Sequence, residues 1–91
     1  MVFREDETDA FRKIFQESAP FIRQREGCRH LELWNDIDSP NIYFTFSLWE
    51  EKENLESYRQ SELFITTWKK TKALFADRPE AWSVNQVEIH R

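Results

Sequence analysis

The chain has 91 residues, a net charge of −4 and an acidic pI of about 5.2, and 15% of its residues are aromatic, with eight Phe and four Trp. The acidic balance excludes a nucleic-acid binder of the ordinary kind: the one basic cluster, Lys69-Lys70-Thr71-Lys72, falls in a predicted helix and reads as its solvated face. A single Cys forms no internal disulfide, no secretory leader is visible, and no apolar run approaches the ~18 residues of a membrane span, so a cytoplasmic protein with no membrane partner is expected.

A chain this short reads as one domain over residues 1–91. It buries only roughly 60–65% of the surface its unfolded form exposes, and such domains gain stability by dimerising. Met1-Val2-Phe3 looks like the tail of a strand. Arg4 to Thr8 is a charged turn in which Asp6 or Thr8 is the expected N-cap. Phe11, Ile14, Phe15 and Ser18/Ala19 then recur on one helical face, and Phe21 and Ile22 extend it. Pro20 predicts a kink or short break, and Gly27 a left-handed stop.

"CRHLELWN" alternates and predicts a strand over residues 28–35, with Cys28, His30, Glu32 and Trp34 on one face. "DIDSPN" is turn chemistry. "IYFTFSLW" predicts a second strand over residues 42–49. Ile42, Phe44, Phe46 and Leu48 make one face wholly apolar. On the other, Tyr43, Thr45, Ser47 and Trp49 each carry a polar atom. "EEKENLESYRQ" is a helix, Ser61 caps the next, and Phe64, Trp68, Thr71 and Phe75 form one stripe of that helix over residues 62–75. "WSVNQVEI" predicts a last strand. The order is (strand)–helix–strand–strand–helix–strand: an α+β, ferredoxin-like split βαβ arrangement with a four-stranded antiparallel sheet and helices on one face.

Several side chains carry chemistry. Trp49, at the end of a strand, either lines a pocket with its indole N–H available or packs over the strand–helix joint. Tyr58 is either a hydrogen-bonding site residue or a half-buried helix residue with its hydroxyl in water. His30 beside Glu32 is either a base near neutral pH or a satisfied rim residue. Cys28 reads as a small buried hydrophobe, and Trp34 and Trp82 as core or interface. His30 and His90 lie far apart and there is no Cys pair, so no metal site is expected.

"EGCRHLEL" after the first helix, a second strand running into "LWEEKENLESYRQSELF", and "WKKTKALFADRPEAWSV", in that order and spacing, resemble the antibiotic biosynthesis monooxygenase family of dimeric α/β-barrel proteins from Phe3 onward. The resemblance implies a ferredoxin-like monomer, a homodimer whose sheets pack face to face, and a pocket between sheet and helices. It also implies oxidation of a small quinol- or anthrone-like aromatic by O2 with no metal, flavin or other cofactor. Within that frame Trp49, Tyr58 and His30 are the expected catalytic residues, and Tyr43, Thr45, Phe64 and Trp68 the expected substrate-binding ones.

The chain departs from the family in four places. Thr45 stands where anthrone oxygenases have an Asn, and Tyr58 where many relatives have a His. Trp68 occupies the axial His position of the haem-degrading branch, and Met1-Val2-Phe3 lacks that branch's Asn, so haem degradation is not expected. The first strand is also several residues shorter than usual, which would leave neighbouring backbone groups unpaired: either the sequence starts late or something else fills the gap. These departures keep a second reading open, a non-catalytic small-molecule-binding or regulatory dimer on the same fold.

Overall fold

The computed structural model describes residues 1–91. A 3-10 turn, Glu5–Glu7, runs directly into α1 (Thr8–Arg23); β1 (Cys28–Asn35), β2 (Tyr43–Trp49), α2 (Lys52–Arg59) and α3 (Glu62–Lys72) follow. No helix is long and apolar enough to cross a membrane.

The apolar spacing of α1 works as expected: Phe11, Ser18 and Ile22 are buried along one face. Its ends differ from expectation. Glu7 holds the N-cap position and bonds no backbone N–H, because the 3-10 turn already occupies the chain there. Pro20 does not break the helix. It lies in the last turn, where only one intrahelical bond is lost, and its carbonyl still accepts from Gln24 at 3.2 Å. Gly27 has a positive φ of 81°, but it serves the turn into β1 rather than the helix cap, which is Gln24. Ser61 caps α3 as predicted, accepting from the Phe64 N–H at 3.1 Å, although that helix closes at Lys72, short of Phe75.

β1 and β2 pair antiparallel, with His30 opposite Leu48, Glu32 opposite Phe46, Trp34 opposite Phe44, Leu33 opposite Thr45 and Asn35 opposite Tyr43. A bulge between Cys28 and His30 shifts the register, so Cys28 faces Trp49. Cys28 is therefore taken off the face that simple alternation shares with His30, and it is buried.

The four-stranded sheet predicted from the sequence is not formed, and the named sheet has two strands. The other two positions are reduced to bridges. Val2 pairs with Ile42, and Tyr43 exchanges two backbone bonds with Met1, each 2.9 Å. Phe3 bridges Phe75, flanked by Arg4 N–H to Leu74 O (3.0 Å) and Ala76 N–H to Val2 O (2.8 Å). The lateral order, residue 75, residues 2–3, β2, β1, is the ferredoxin order with two strands abbreviated. Residues 82–89, predicted as the last strand, join no ladder, and Trp82, Val84 and Val87 are exposed.

The core gathers where these stubs meet. Phe3 is fully buried, stacked on Phe11 with ring centroids 4.1 Å apart, and it touches Tyr43 and Phe75. Phe15, Leu33 and Leu74 pack around that cluster. α1 thus covers the Tyr43/Leu33 side of the sheet and leaves the other side open.

Candidate functional site

Strand alternation places Tyr43, Thr45, Ser47 and Trp49 on the helix-facing side of β2. Tyr43 is buried at one end, Thr45 and Ser47 are exposed, and Trp49 is half-buried at the other end. α2 lays Tyr58 flat on Trp49, with centroids 5.3 Å apart and planes 21° from parallel. Phe64 meets Tyr58 edge-on at 5.2 Å, Trp68 stacks on Phe64 at 5.9 Å, and Phe75 meets Trp68 at 5.5 Å. Phe75 then touches Phe3 at 5.1 Å, and Phe3 touches Tyr43 at 5.9 Å.

The contacts form a circuit that leaves β2 at Trp49 and returns to it at Tyr43. Those two residues are separated by about 20 Å of extended strand. The rings therefore make an arc, and Thr45 and Ser47 are the stretch of strand it spans. Tyr43 points its backbone groups at Met1, so Thr45 and Ser47, of the same parity, point theirs at the same edge of β2. Two surface hollows, of about 430 and 390 Å³, lie elsewhere, between α1 and α3 and beside Pro20 and Leu31; neither touches Thr45, Ser47 or Trp49.

The polar groups of the arc are few. The Trp49 indole N–H donates to Ser47 Oγ at 3.0 Å. Burial pushes the Tyr58 hydroxyl up to about 12, with the nearby Cys28 adding to the rise and Arg25 opposing it. Tyr58 is thus neutral through the physiological range, a donor and not a base. No group of three or more His, Cys, Asp or Glu side chains comes together in the fold, and the arc offers hydroxyls and rings rather than metal donors.

Of the seven side chains expected at the site, Trp49, Tyr58, Tyr43, Thr45, Phe64 and Trp68 lie on this arc or the strand it spans. His30 does not. Its cross-strand partner is Leu48, which puts it on the opposite face with Glu32, Trp34, Phe44 and Phe46. There His30 Nε2 contacts Glu32 Oε2, and the Trp34 indole donates to Glu32 Oε1 at 2.5 Å. The hydrogen bond from Trp34, and then that from His30, hold the Glu32 carboxyl below its ordinary range. Trp34 also stacks on Phe46 at 5.2 Å. His30 therefore cannot serve as a base for anything held against Thr45 and Trp49.

Ser47 shares the polar face of β2 with Tyr43, Thr45 and Trp49, though it is not among those seven. Its signal was present, a hydroxyl two positions before an indole on one strand face, within reach of the N–H.

Comparison with known proteins supplies the rest. The family profile described as antibiotic biosynthesis monooxygenase matches residues 1–70. A Bordetella bronchiseptica structure provisionally named an antibiotic biosynthesis monooxygenase superposes with a TM-score of 0.84 at 22% identity, over 97% of this chain and 91% of its own. A Mycobacterium tuberculosis protein gives 0.79 at 20% identity, over 96% of this chain and 91% of its own. A Nitrosomonas europaea protein, also provisionally named an antibiotic biosynthesis monooxygenase, gives 0.80 at 12% identity, over 85% and 74%. At these identities the structures establish the shared fold. No curated protein matches the sequence.

Proposed function

Because the chain belongs to the antibiotic biosynthesis monooxygenase family, we propose that it is a cofactor-independent monooxygenase acting on a small aromatic quinol- or anthrone-like substrate in the arc between β2 and the α2–α3 pair. The observation that carries this reading is the arc itself, a run of rings from Trp49 to Tyr43 bent around two exposed hydroxyls. Rings stack a flat substrate and exclude water, while hydroxyls and a neutral Tyr58 donate to an oxygen that carries charge.

The chemistry asks little more. The substrate's phenol or enol loses its proton, and the anion passes one electron to O2. The resulting radical pair joins at a ring carbon as a hydroperoxide. Loss of water leaves C=O at that carbon, so one oxygen atom enters the product, the other leaves as water, and the substrate supplies both electrons. Neither Tyr58 nor Trp49 accepts the first proton, and His30 is on the far face. The substrate in this reading is acidic enough to lose that proton to water. Trp49, Tyr58, Phe64 and Trp68 are its walls, and Tyr43 and Thr45 lie on the strand beneath it.

The working unit in this proposal is a cytoplasmic homodimer. Trp34, Phe44 and Leu48 leave nearly half of their surface exposed on the face away from the helices, and Ile42 and Phe46 border them. Five large apolar side chains on one sheet face need a cover, and a second copy packed sheet to sheet provides one.

One observation favours the alternative of a binding protein on the same fold. The Trp49 N–H is already taken by Ser47, and Thr45 offers a shorter donor than the Asn of the anthrone oxygenases. Turnover under labelled dioxygen separates the two readings. The monooxygenase places one labelled atom in the product and one in water; a binding protein places none.

A further inference from the structure

Three hydroxyl groups elsewhere in this chain donate to backbone carbonyls. Ser18 donates to Ile14 O at 2.9 Å, Ser61 to Tyr58 O at 2.6 Å and Thr71 to Thr67 O at 2.8 Å. Ser47 is different. An indole N–H only donates, so in the 3.0 Å contact with Trp49 the Ser47 oxygen is the acceptor. Its own hydrogen has no acceptor in the protein, and the side chain is exposed on the strand that the aromatic arc spans. A hydroxyl that accepts one hydrogen bond becomes a better donor of the next.

Stability does not account for the arrangement. Ser47 is open to solvent, so water would satisfy the indole as well, and a hydrogen bond replaceable by water adds little net stability. What the contact does is orient the hydroxyl: while the Ser47 oxygen accepts from Trp49, itself stacked on Tyr58 at 5.3 Å, the O–H points away from the indole. Thr45, two residues earlier on the same face, sets a second exposed hydroxyl about 7 Å away along the strand.

We infer that Ser47 is the anion-binding donor of this site, its hydroxyl bonding the phenolate or enolate oxygen of the substrate, with Trp49 a positioning residue that acts through it. This rests on the monooxygenase reading above and names the group that would hold the charge. It moves the indole N–H one step back from the substrate. The ligand class follows from the donors: a flat aromatic with an ionisable oxygen on its edge, held by neutral hydroxyls rather than by a cation.

The probe is 1-naphthol, whose neutral and anionic forms are distinguished by absorbance, titrated against the purified protein across pH. The wild-type protein binds the anion in preference to the phenol, so the bound naphthol ionises at lower pH than free naphthol. In Ser47→Ala that preference falls about tenfold, the size of one charge-assisted hydrogen bond. Ser47→Thr, which keeps the hydroxyl and suits a strand, restores it. Trp49→Phe, which keeps the stack and loses the N–H, gives an intermediate value, and the Trp49 indole N–H resonance shifts on naphthol binding in the wild type. An unchanged preference in Ser47→Ala overturns the assignment of Ser47 and leaves the monooxygenase reading standing with another donor. A wild-type protein that binds neither form overturns both.

Discussion

The indole of Trp49 is held from two sides, flat against Tyr58 with ring centroids 5.3 Å apart and through its N–H to Ser47 Oγ at 3.0 Å. The stack is a packing contact and the hydrogen bond is polar, so one substitution separates them. Trp49→Phe keeps a ring on Tyr58 and removes only the N–H. Turnover of an accepted substrate falls about threefold, the effect of roughly 0.7 kcal/mol of lost donor organisation, while the urea midpoint of unfolding moves little. A variant that loses both together would show that the indole is chiefly a core element.

Tyr58 gives the fold a pH dependence that can be isolated. Burial raises its folded value to about 12 from the ordinary 10.0, so below pH 10 both folded and unfolded chains keep the proton and the contribution is complete. Above that the unfolded chain ionises first, and stability falls as pH rises towards 12. Urea unfolding measured from pH 9 to 12 should show this slope in the wild type and a shallower one in Tyr58→Phe. Activity, in turn, should rise with pH through the substrate's own ionisation, with no inflection from Tyr58 below about pH 11.

The outer sheet face gives a prediction about assembly. Phe46 lies at its centre, against Trp34 at 5.2 Å and His30 at 6.3 Å. Phe46→Asp places a charge in the proposed sheet-to-sheet contact. Sedimentation at micromolar concentration should find the wild type dimeric and the variant monomeric, because an unpaired carboxylate in such an interface is costly. A wild-type monomer at that concentration would rule the contact out.

Gly27 joins α1 to β1 at a φ of 81°, and a β-carbon there would come within 2.3–2.6 Å of the Asn54 side chain, which in turn accepts from the Glu51 N–H at 3.0 Å. Gly27→Ala therefore adds both backbone strain and a clash at the start of α2. It should cost about 1–3 kcal/mol by urea unfolding. Pairing it with Asn54→Gly should recover the part due to the clash and not the part due to φ.

Much of this was visible in the amino-acid order, and the exceptions have physical causes. Alternation in "IYFTFSLW" separated the Thr45/Ser47/Trp49 face from the Phe44/Phe46/Leu48 face, and helical spacing aligned Phe64 with Trp68. Ser61 announced its own cap. Alternation does not say which face the helices cover. That is decided by Tyr43, buried against Phe3 and Phe11, and it sends His30 to the far side. The bulge after Cys28 is a local register shift with no marker in composition. Residues 82–89 have the pattern of a strand, but a strand exists only beside a partner, and they pair with none.

The most direct test of the account is oxygen uptake by the purified, metal-free protein with a panel of hydroquinones, naphthohydroquinones and anthrones, run beside Trp49→Phe and Ser47→Ala. The account predicts uptake above the autoxidation rate with at least one compound, reduced about tenfold in Ser47→Ala and by less in Trp49→Phe. Folded, dimeric wild-type protein that leaves the autoxidation rate of every compound unchanged would contradict it, and would make the aromatic arc a binding site without turnover.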